Sequence, residues 1–424
     1  MKSAILATGA AAIIAAGNVG AVEGPVPEGV PALDHVFVIM MENHAFGQVA
    51  GNPQAPFINA LMARANVGTN YFAIAHPSST NYLEVVGGSN FNDLSDQYPN
   101  WHSNCAPNIA TGVTNTDNPS TGLVCPITGR QGTDAPTPVI DSSMNETSAP
   151  PLTNINGVLS IPARHDIDGK TIADQLVAHG KSWKSYQEGL PLIGADGVNV
   201  SDGYYSIGGN NALGVGVTSD FAALSTSGNP VSASNVVYLY AVKHDPFAYF
   251  ASVQSGENPE LSLNRIVSFE GDRGLYADLR TGHVPDFAFI APNQCDDMHG
   301  RGNGTAFCNY DADDNGTQNG LNPSLILQGD LAVQRLVTAI KASPVWSNSR
   351  SAIVVLWDEN DYSTTTSNQV VLIVDTNYGR HHLRSQVFYD HYSLTKTLDA
   401  TFRLPCLNHA CDAGVQVMSD LFRE

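Results

Sequence analysis

The 424-residue chain carries 40 acidic and 20 basic residues, for a net charge of −20 with neutral histidines. That length buries a large core, in one layered domain with insertions or in two domains. The charge excludes the basic footprint of a nucleic-acid binder and disfavours steering toward anionic membranes. An anionic substrate would have to be attracted locally, as by a bound cation.

Residues 1–21 read as a secretory signal: Lys2 is the basic start, 4–16 the small apolar stretch, and Gly20-Ala21 a small-residue cleavage end. That stretch is too short for a transmembrane helix, and no later run is longer and as apolar. The expectation is a secreted or periplasmic protein. Residues 35–40 form a buried-type β run, 55–64 a helix after a proline, and 66–72 the next strand. Residues 80–86 read as a short helix stopped by Gly87-Gly88. The stretch 100–165, rich in Asn, Thr, Pro, Gly and Ser, reads as a loop insertion. A helix over 171–179 ends at Gly180, and 182–186, 236–242 and 286–291 are strand candidates. A second polar loop spans 295–322, and 323–341 is the most helical stretch. Apolar runs at 352–357 and 369–375 are of buried-strand type, and a last helix covers 392–402. Helices alternating with apolar strands predict an α/β layered domain over 22–424, with a central mostly parallel sheet flanked by helices.

Six cysteines in an exported chain suggest disulfides, and short loops favour Cys105–Cys125, Cys295–Cys308 and Cys406–Cys411. No C-x-x-C pair supports a zinc cluster. Sequons at Asn145, Asn199, Asn303 and Asn315 matter only in a eukaryotic host. The run Asp311 to Gly316 imitates the start of an EF-hand loop, but its twelfth position is Asn322 rather than Glu, so an acidic loop is the preferred reading.

Glu42-Asn43 and Asp358-Glu359 each follow an apolar strand directly, where an open α/β sheet binds ligands. Hard oxygen donors there suit a divalent cation. The plainer readings are a capping Asn43 with a solvated Glu42, and an exposed acidic turn continued by Asn360 and Asp361. Ser78, Ser79 and Thr80 stand together on a strand-to-helix turn. A hydroxyl beside a cation can become a nucleophile, yet Ser79 or Thr80 could equally cap the helix. Chemistry alone leaves the three open. The amide of Asn81 could donate to a phosphoryl oxygen.

Six segments, MENHAF (41–46), HPSSTNY (76–82), TIADQLVAHGKSWKSYQEG (171–189), YAVKHDPFAYF (240–250), PNQCDDMHG (292–300) and VLWDEND (355–361), resemble the phosphoesterase family. That family holds bacterial and fungal acid phosphatases and non-haemolytic-type phospholipases C, within the alkaline-phosphatase-like superfamily. The resemblance runs in order from about residue 34 to 404. By position it implies metal ligation by Glu42, Asn43, Asp358 and Glu359, and a nucleophile and further metal ligand at Ser78. Asn81, His244 and His299 would stabilise phosphoryl charge or protonate the leaving group. Lys243, Pro246, Phe247, Asp297 and Met298 fall in the same motifs, and residues 389–392 match a late element. His391 could orient its neighbours; His76, His381 and His382 have no assigned role. The sequence departs from the family at Ala45, Gly47 and Asn360-Asp361, which touches pocket walls and leaves the ligands intact.

The resemblance implies one divalent metal ion: calcium, magnesium or manganese for oxygen ligation alone, zinc or iron if histidine joins. It also implies a phosphate-ester small molecule or a phospholipid headgroup as substrate. An acid phosphatase leads; the alternatives are a phospholipase C, with a mouth built from Tyr98 and Trp101, and a non-catalytic metal-stabilised surface module.

Overall fold

A computed structural model of the chain describes residues 23–75, 78–91, 167, 169–190, 240, 242–254, 257–300, 322–360 and 368–424. The expected leader, the insertion, the Cys105–Cys125 pair, Tyr98, Trp101, the sequons, the acidic run at 311–316 and His76 lie outside these residues.

The strands are β1 (His35–Met41), β2 (Asn66–Gly68), β3 (Tyr71–Phe72), β4 (Trp183–Gln187), β5 (Ile266–Ser268), β6 (Phe287–Ala291), β7 (Ser351–Trp357), β8 (Leu372–Thr376), β9 (Arg384–Ser385) and β10 (Tyr389–Asp390). The helices are α1 (Phe46–Val49), α2 (Pro56–Arg64), α3 (Ser78–Gly87), α4 (Ile172–Ala178), α5 (Ala251–Gln254), α6 (Leu275–Thr281), α7 (Pro323–Ala342), α8 (Pro344–Asn348) and α9 (His391–Phe402). Eight strands form one sheet in the order β5-β4-β6-β1-β7-β8-β2-β9, and β3 with β10 forms a small second one. The pairs from β5 through β7 are parallel, and β8 runs antiparallel to both its neighbours. The expected mostly parallel sheet flanked by helices is therefore present.

Every residue of β7 is buried, and in β1 only His35 is partly exposed. Strands covered on both faces read as continuous apolar runs rather than alternating ones, which is why both were visible in the sequence. The helices pack in two groups, α2 with α7 and α6 with α7 and α8, and α3 with α4 and α9. Capping boxes start α4 (Thr171 with Asp174) and α9 (Asp390 with Ser393), and Asn322 caps α7 ahead of Pro323.

Residues 66–72, expected as one strand, divide at Thr69-Asn70. β2 joins the large sheet between β8 and β9, while β3 pairs with β10. Of the strand expected over 236–242, only residues 240 and 242 are described, and Val242 opens a 3-10 turn, Val242–His244. The short β5 and α6 carry too little periodicity to have been read. The Cys406–Cys411 bridge is present; Cys295 is disulfide-bonded, and its expected partner Cys308 lies outside the described residues. One glycine has a packing reason: a Cβ on Gly329 would lie 2.3 Å from Cγ of Met298, so α7 approaches the loop carrying Asp297 and His299 only without a side chain there.

All ten residues of α3 are buried, including Glu84. Tyr392 Oη donates to Glu84 Oε1 at 3.4 Å, and burial pushes this carboxyl from 4.5 up to about 8. A folded-state value above the unfolded one favours the protonated native form. Its contribution is complete below about pH 4.5 and is lost as pH rises through about 8. Glu84→Gln should match the wild type in unfolding free energy near pH 4 and exceed it near pH 9 by up to a few kcal/mol, with a correspondingly higher Tm. Equal melting curves at the higher pH would show that Glu84 carries no such linkage.

Candidate active site

The parallel register pairs Met41 with Trp357, so the residues that follow, Glu42 and Asp358, emerge side by side at one sheet edge. Asp358 N–H continues the ladder to Met41 O at 2.9 Å. The next step breaks it. Asn43 has φ of 52°, a left-handed conformation that Asn tolerates better than most residues, and this turns the chain away from the sheet. Asp358 Oδ1 then accepts from the N–H groups of Asn43 (3.1 Å) and Glu359 (2.6 Å), locking the two turns together. Glu42 N–H donates to Asp297 O at 2.8 Å, which ties in the loop after β6.

The Ser78 hydroxyl lies at the start of α3 and is fully buried. It donates to Glu42 Oε2 at 2.9 Å, and Glu359 Oε1 lies 3.4 Å away. One hydroxyl proton serves the shorter contact. Ser79 Oγ donates to Tyr249 Oη at 3.3 Å. Asn81 Nδ2 donates to Glu359 Oε2 (3.0 Å) and Ala75 O (2.9 Å), while its Oδ1 accepts from Ala75 N–H (3.1 Å). The amide thus braces Glu359 and the backbone of Ala75.

His244 stands on the 3-10 turn Val242–His244, with Nε2 3.1 Å from Glu42 Oε1 and Nδ1 3.3 Å from Asp297 Oδ2. Its ring stacks on Tyr82 from α3 at 5.1 Å and an interplanar angle of 8°. Burial, then the charge of Lys243, holds the imidazole well below its ordinary pKa, and burial, then Glu42, pushes Asp297 well above its own. Both shifts favour the neutral form of a buried group, as expected where burial penalises charge. Gln187 Nε2 donates to His244 O at 3.2 Å, and Ser185 Oγ to Asp245 Oδ1 at 3.0 Å, so β4 anchors the turn. His299 Nδ1 faces Gly300 O at 2.7 Å and therefore carries the proton; Nε2 lies 3.4 Å from the buried ammonium of Lys243.

The structure therefore gathers Glu42, Asp358, Glu359, Ser78, Asn81 and His244 into one connected cluster, with Asn43 in its frame and His299 behind Asp297 and Lys243. His381 and His382 are exposed, and His391 is buried against Asp358. Lys243, Asp297 and Tyr82 stood in the quoted motifs without roles. Only the position of Lys243 next to His244, and of Asp297 two before His299, could have marked the first two. Nothing in the pattern marked Tyr82 as a ring stacked on a histidine.

Glu42, Asp297, Asp358 and Glu359 are each fully buried, set against Lys243 and His244. Burying carboxylates in such number calls for a compensating cation. The donors are hard oxygens, the chemistry that suits a divalent ion. Among the described residues, no three His, Cys, Asp or Glu side chains converge as a ready-made shell, so an ion here would also draw on Ser78 or Asn43 oxygens.

The profile of the Phosphoesterase family matches residues 52–405. A phosphatidylinositol-3-phosphatase of Mycobacterium tuberculosis is 22% identical over 410 residues, covering 95% of this chain and 89% of that one. A phosphate-repressible acid phosphatase of Penicillium chrysogenum is 22% identical, covering 91% of this chain; the chain spans only 63% of that relative's length. A solved protein of the alkaline phosphatase superfamily from Vibrio parahaemolyticus is similar at TM-score 0.41 and 11% identity, covering 90% of this chain and 69% of that one. With the family profile matched over most of its length, the chain belongs to the Phosphoesterase family and is a phosphoric ester hydrolase.

Proposed function

We propose that the protein is an exported, metal-dependent phosphomonoesterase of acid-phosphatase type that works through a phosphoseryl intermediate on Ser78. Residues 1–21 would be its leader and 22–424 a single phosphoesterase domain. The observation that carries the reading is the buried Ser78 hydroxyl donating to Glu42 at 2.9 Å, with Glu359 3.4 Å away, where β1 and β7 end. Glu42 accepts the serine proton as Oγ bonds to phosphorus and the bond to the leaving alkoxide breaks. Water then attacks phosphorus, the P–Oγ bond breaks, inorganic phosphate leaves and the proton returns to Ser78. His244 orients Glu42 through Nε2 and is itself held by Asp297. Asn81 keeps Glu359 in place, and the Lys243 ammonium, 3.4 Å from His299 Nε2, supplies positive charge for the equatorial phosphoryl oxygens, with His299 as its neutral neighbour. Glu42, Asn43, Ser78, Asp358 and Glu359 would hold one divalent ion; calcium, magnesium or manganese suits oxygen donors, and the nearness of His244 admits zinc. When bound, the ion would neutralise the carboxylates and lower the proton affinity of the Ser78 hydroxyl.

The names of the mycobacterial and Penicillium relatives both denote removal of a phosphate monoester, which favours that reaction over cleavage of a phospholipid headgroup diester. The buried hydroxyl favours an enzyme over a binding module, which has no use for a placed nucleophile.

Ser78→Ala should lower kcat on p-nitrophenyl phosphate by about 10³-fold or more, with Tm near that of the wild type. A variant that kept most of its turnover would remove Ser78 as nucleophile. Dialysis against a chelator should abolish turnover and lower Tm, and one divalent ion per chain by elemental analysis should restore both. If the fully metal-free protein kept its rate, the cation would have no part in the reaction. For the substrate, kcat/KM on p-nitrophenyl phosphate should exceed that on p-nitrophenyl phosphorylcholine by about 100-fold, a difference of roughly 2.7 kcal/mol in transition-state binding. The reverse order would identify a phospholipase C.

A further inference from the structure

Beyond Trp357 the β7 ladder ends, and the carbonyl of Asp358 has left the sheet. A buried carbonyl in that position needs a donor. His391, the first residue of α9, supplies it: Nε2 lies 2.7 Å from Asp358 O. The carbonyl can only accept, so in the neutral imidazole Nε2 carries the one proton and Nδ1 has none. Nδ1 lies 2.7 Å from Tyr71 Oη, which must therefore donate to it. Tyr71, His391 and Asp358 are all fully buried. The hydrogen bonds thus form a directed chain, from phenol to imidazole to backbone carbonyl.

The chain joins three segments distant in sequence. Tyr71 lies on β3, the strand that precedes α3 and Ser78 in the chain. Phe72 beside it pairs with Asp390, which caps α9 through Ser393. Asp358 holds both Asn43 and Glu359 through its side chain. A shift of the Asp358 peptide would therefore move the turn of β1 and the carboxylate of Glu359 together.

We propose that His391, held by Tyr71, is a positioning residue that sets the Asp358-Glu359 turn for cation binding. This inference rests on the function proposed above. His391 touches no reacting atom; it fixes the peptide from which two of the expected ligands extend. Partners of that kind tune metal affinity through the ligands they hold, typically by about 10–100-fold.

The test compares the wild type with His391→Phe, His391→Gln and Tyr71→Phe. Each protein, stripped of metal, is titrated calorimetrically with calcium, magnesium, manganese and zinc separately, and its kcat and KM on p-nitrophenyl phosphate are then measured in the ion bound most tightly. His391→Phe should weaken cation affinity and lower kcat by about 10–100-fold, with KM for the phosphate ester within about twofold. His391→Gln keeps a donor for Asp358 O and should recover most of both, which a merely space-filling role would not produce. Tyr71→Phe, which removes one hydroxyl, should fall between. If His391→Phe folds and binds the cation as tightly as wild type, the inference is overturned while the proposed function stands. If that variant does not fold, unchanged affinity in Tyr71→Phe overturns it equally. A wild type that binds none of the four cations would overturn the proposed metal-dependent reading, and this inference with it.

Discussion

The parallel pairing of β1 with β7 is the constraint on which the rest of the site depends. Its register sets Met41 opposite Trp357, and two chain ends 315 residues apart then leave the sheet as neighbours, joined by Asn43 N–H and Asp358 Oδ1. An antiparallel pairing would place those ends at opposite edges. A slip of one residue would set Glu42 opposite Trp357 or Glu359 instead of Asp358. Both strands are buried on both faces, which makes their pairing part of the core.

From that edge outward, each functional side chain is held by a different device. Asn43 accepts a left-handed backbone so that Glu42 can face inward. Asn81 uses its amide on the backbone of 74–75 and on Glu359 at once, so that backbone and one carboxylate are held by the same side chain. His244 lies with Glu42 near one ring nitrogen, Asp297 near the other, and the face of Tyr82 against its own. Several carboxylate oxygens of the cluster, Glu42 Oε1, Asp297 Oδ2 and Asp358 Oδ2, are buried without a hydrogen-bond donor. The cost of so many buried carboxylates is coherent with a site that takes a cation and an anion together.

The acidic surface and the buried acidic cluster fit one physical picture. A chain of net charge −20 repels a phosphate ester at long range, so attraction must come from within the crevice. Lys243, buried beside His299, is the protein's own contribution there. Asp245, two residues on and also buried, is raised to about 7 by that burial and accepts from Ser185 Oγ.

Much of this was legible in the sequence, for reasons that differ by element. β1, β6 and β7 announced themselves because strands covered on both faces are continuous apolar runs. α7 did so because twenty residues give a helical period room to repeat. Strand ends followed by Glu-Asn and Asp-Glu marked the crevice edge, and the family resemblance selected Ser78 from three adjacent hydroxyls. The split of 66–72 between two sheets was not legible, because two or three residues carry no period and their partners, β8, β9 and β10, lie some 300 residues away. Nor was the role of Tyr71, of Tyr82, or of His391 holding the Asp358 peptide. Local pattern determines which residues can be a strand, a helix or a ligand, because those preferences reside in the side chain and its neighbours. Which carbonyl a histidine meets, and which carboxylates a serine faces, is decided only when distant segments pack, because a hydrogen bond depends on position in space and not on separation along the chain.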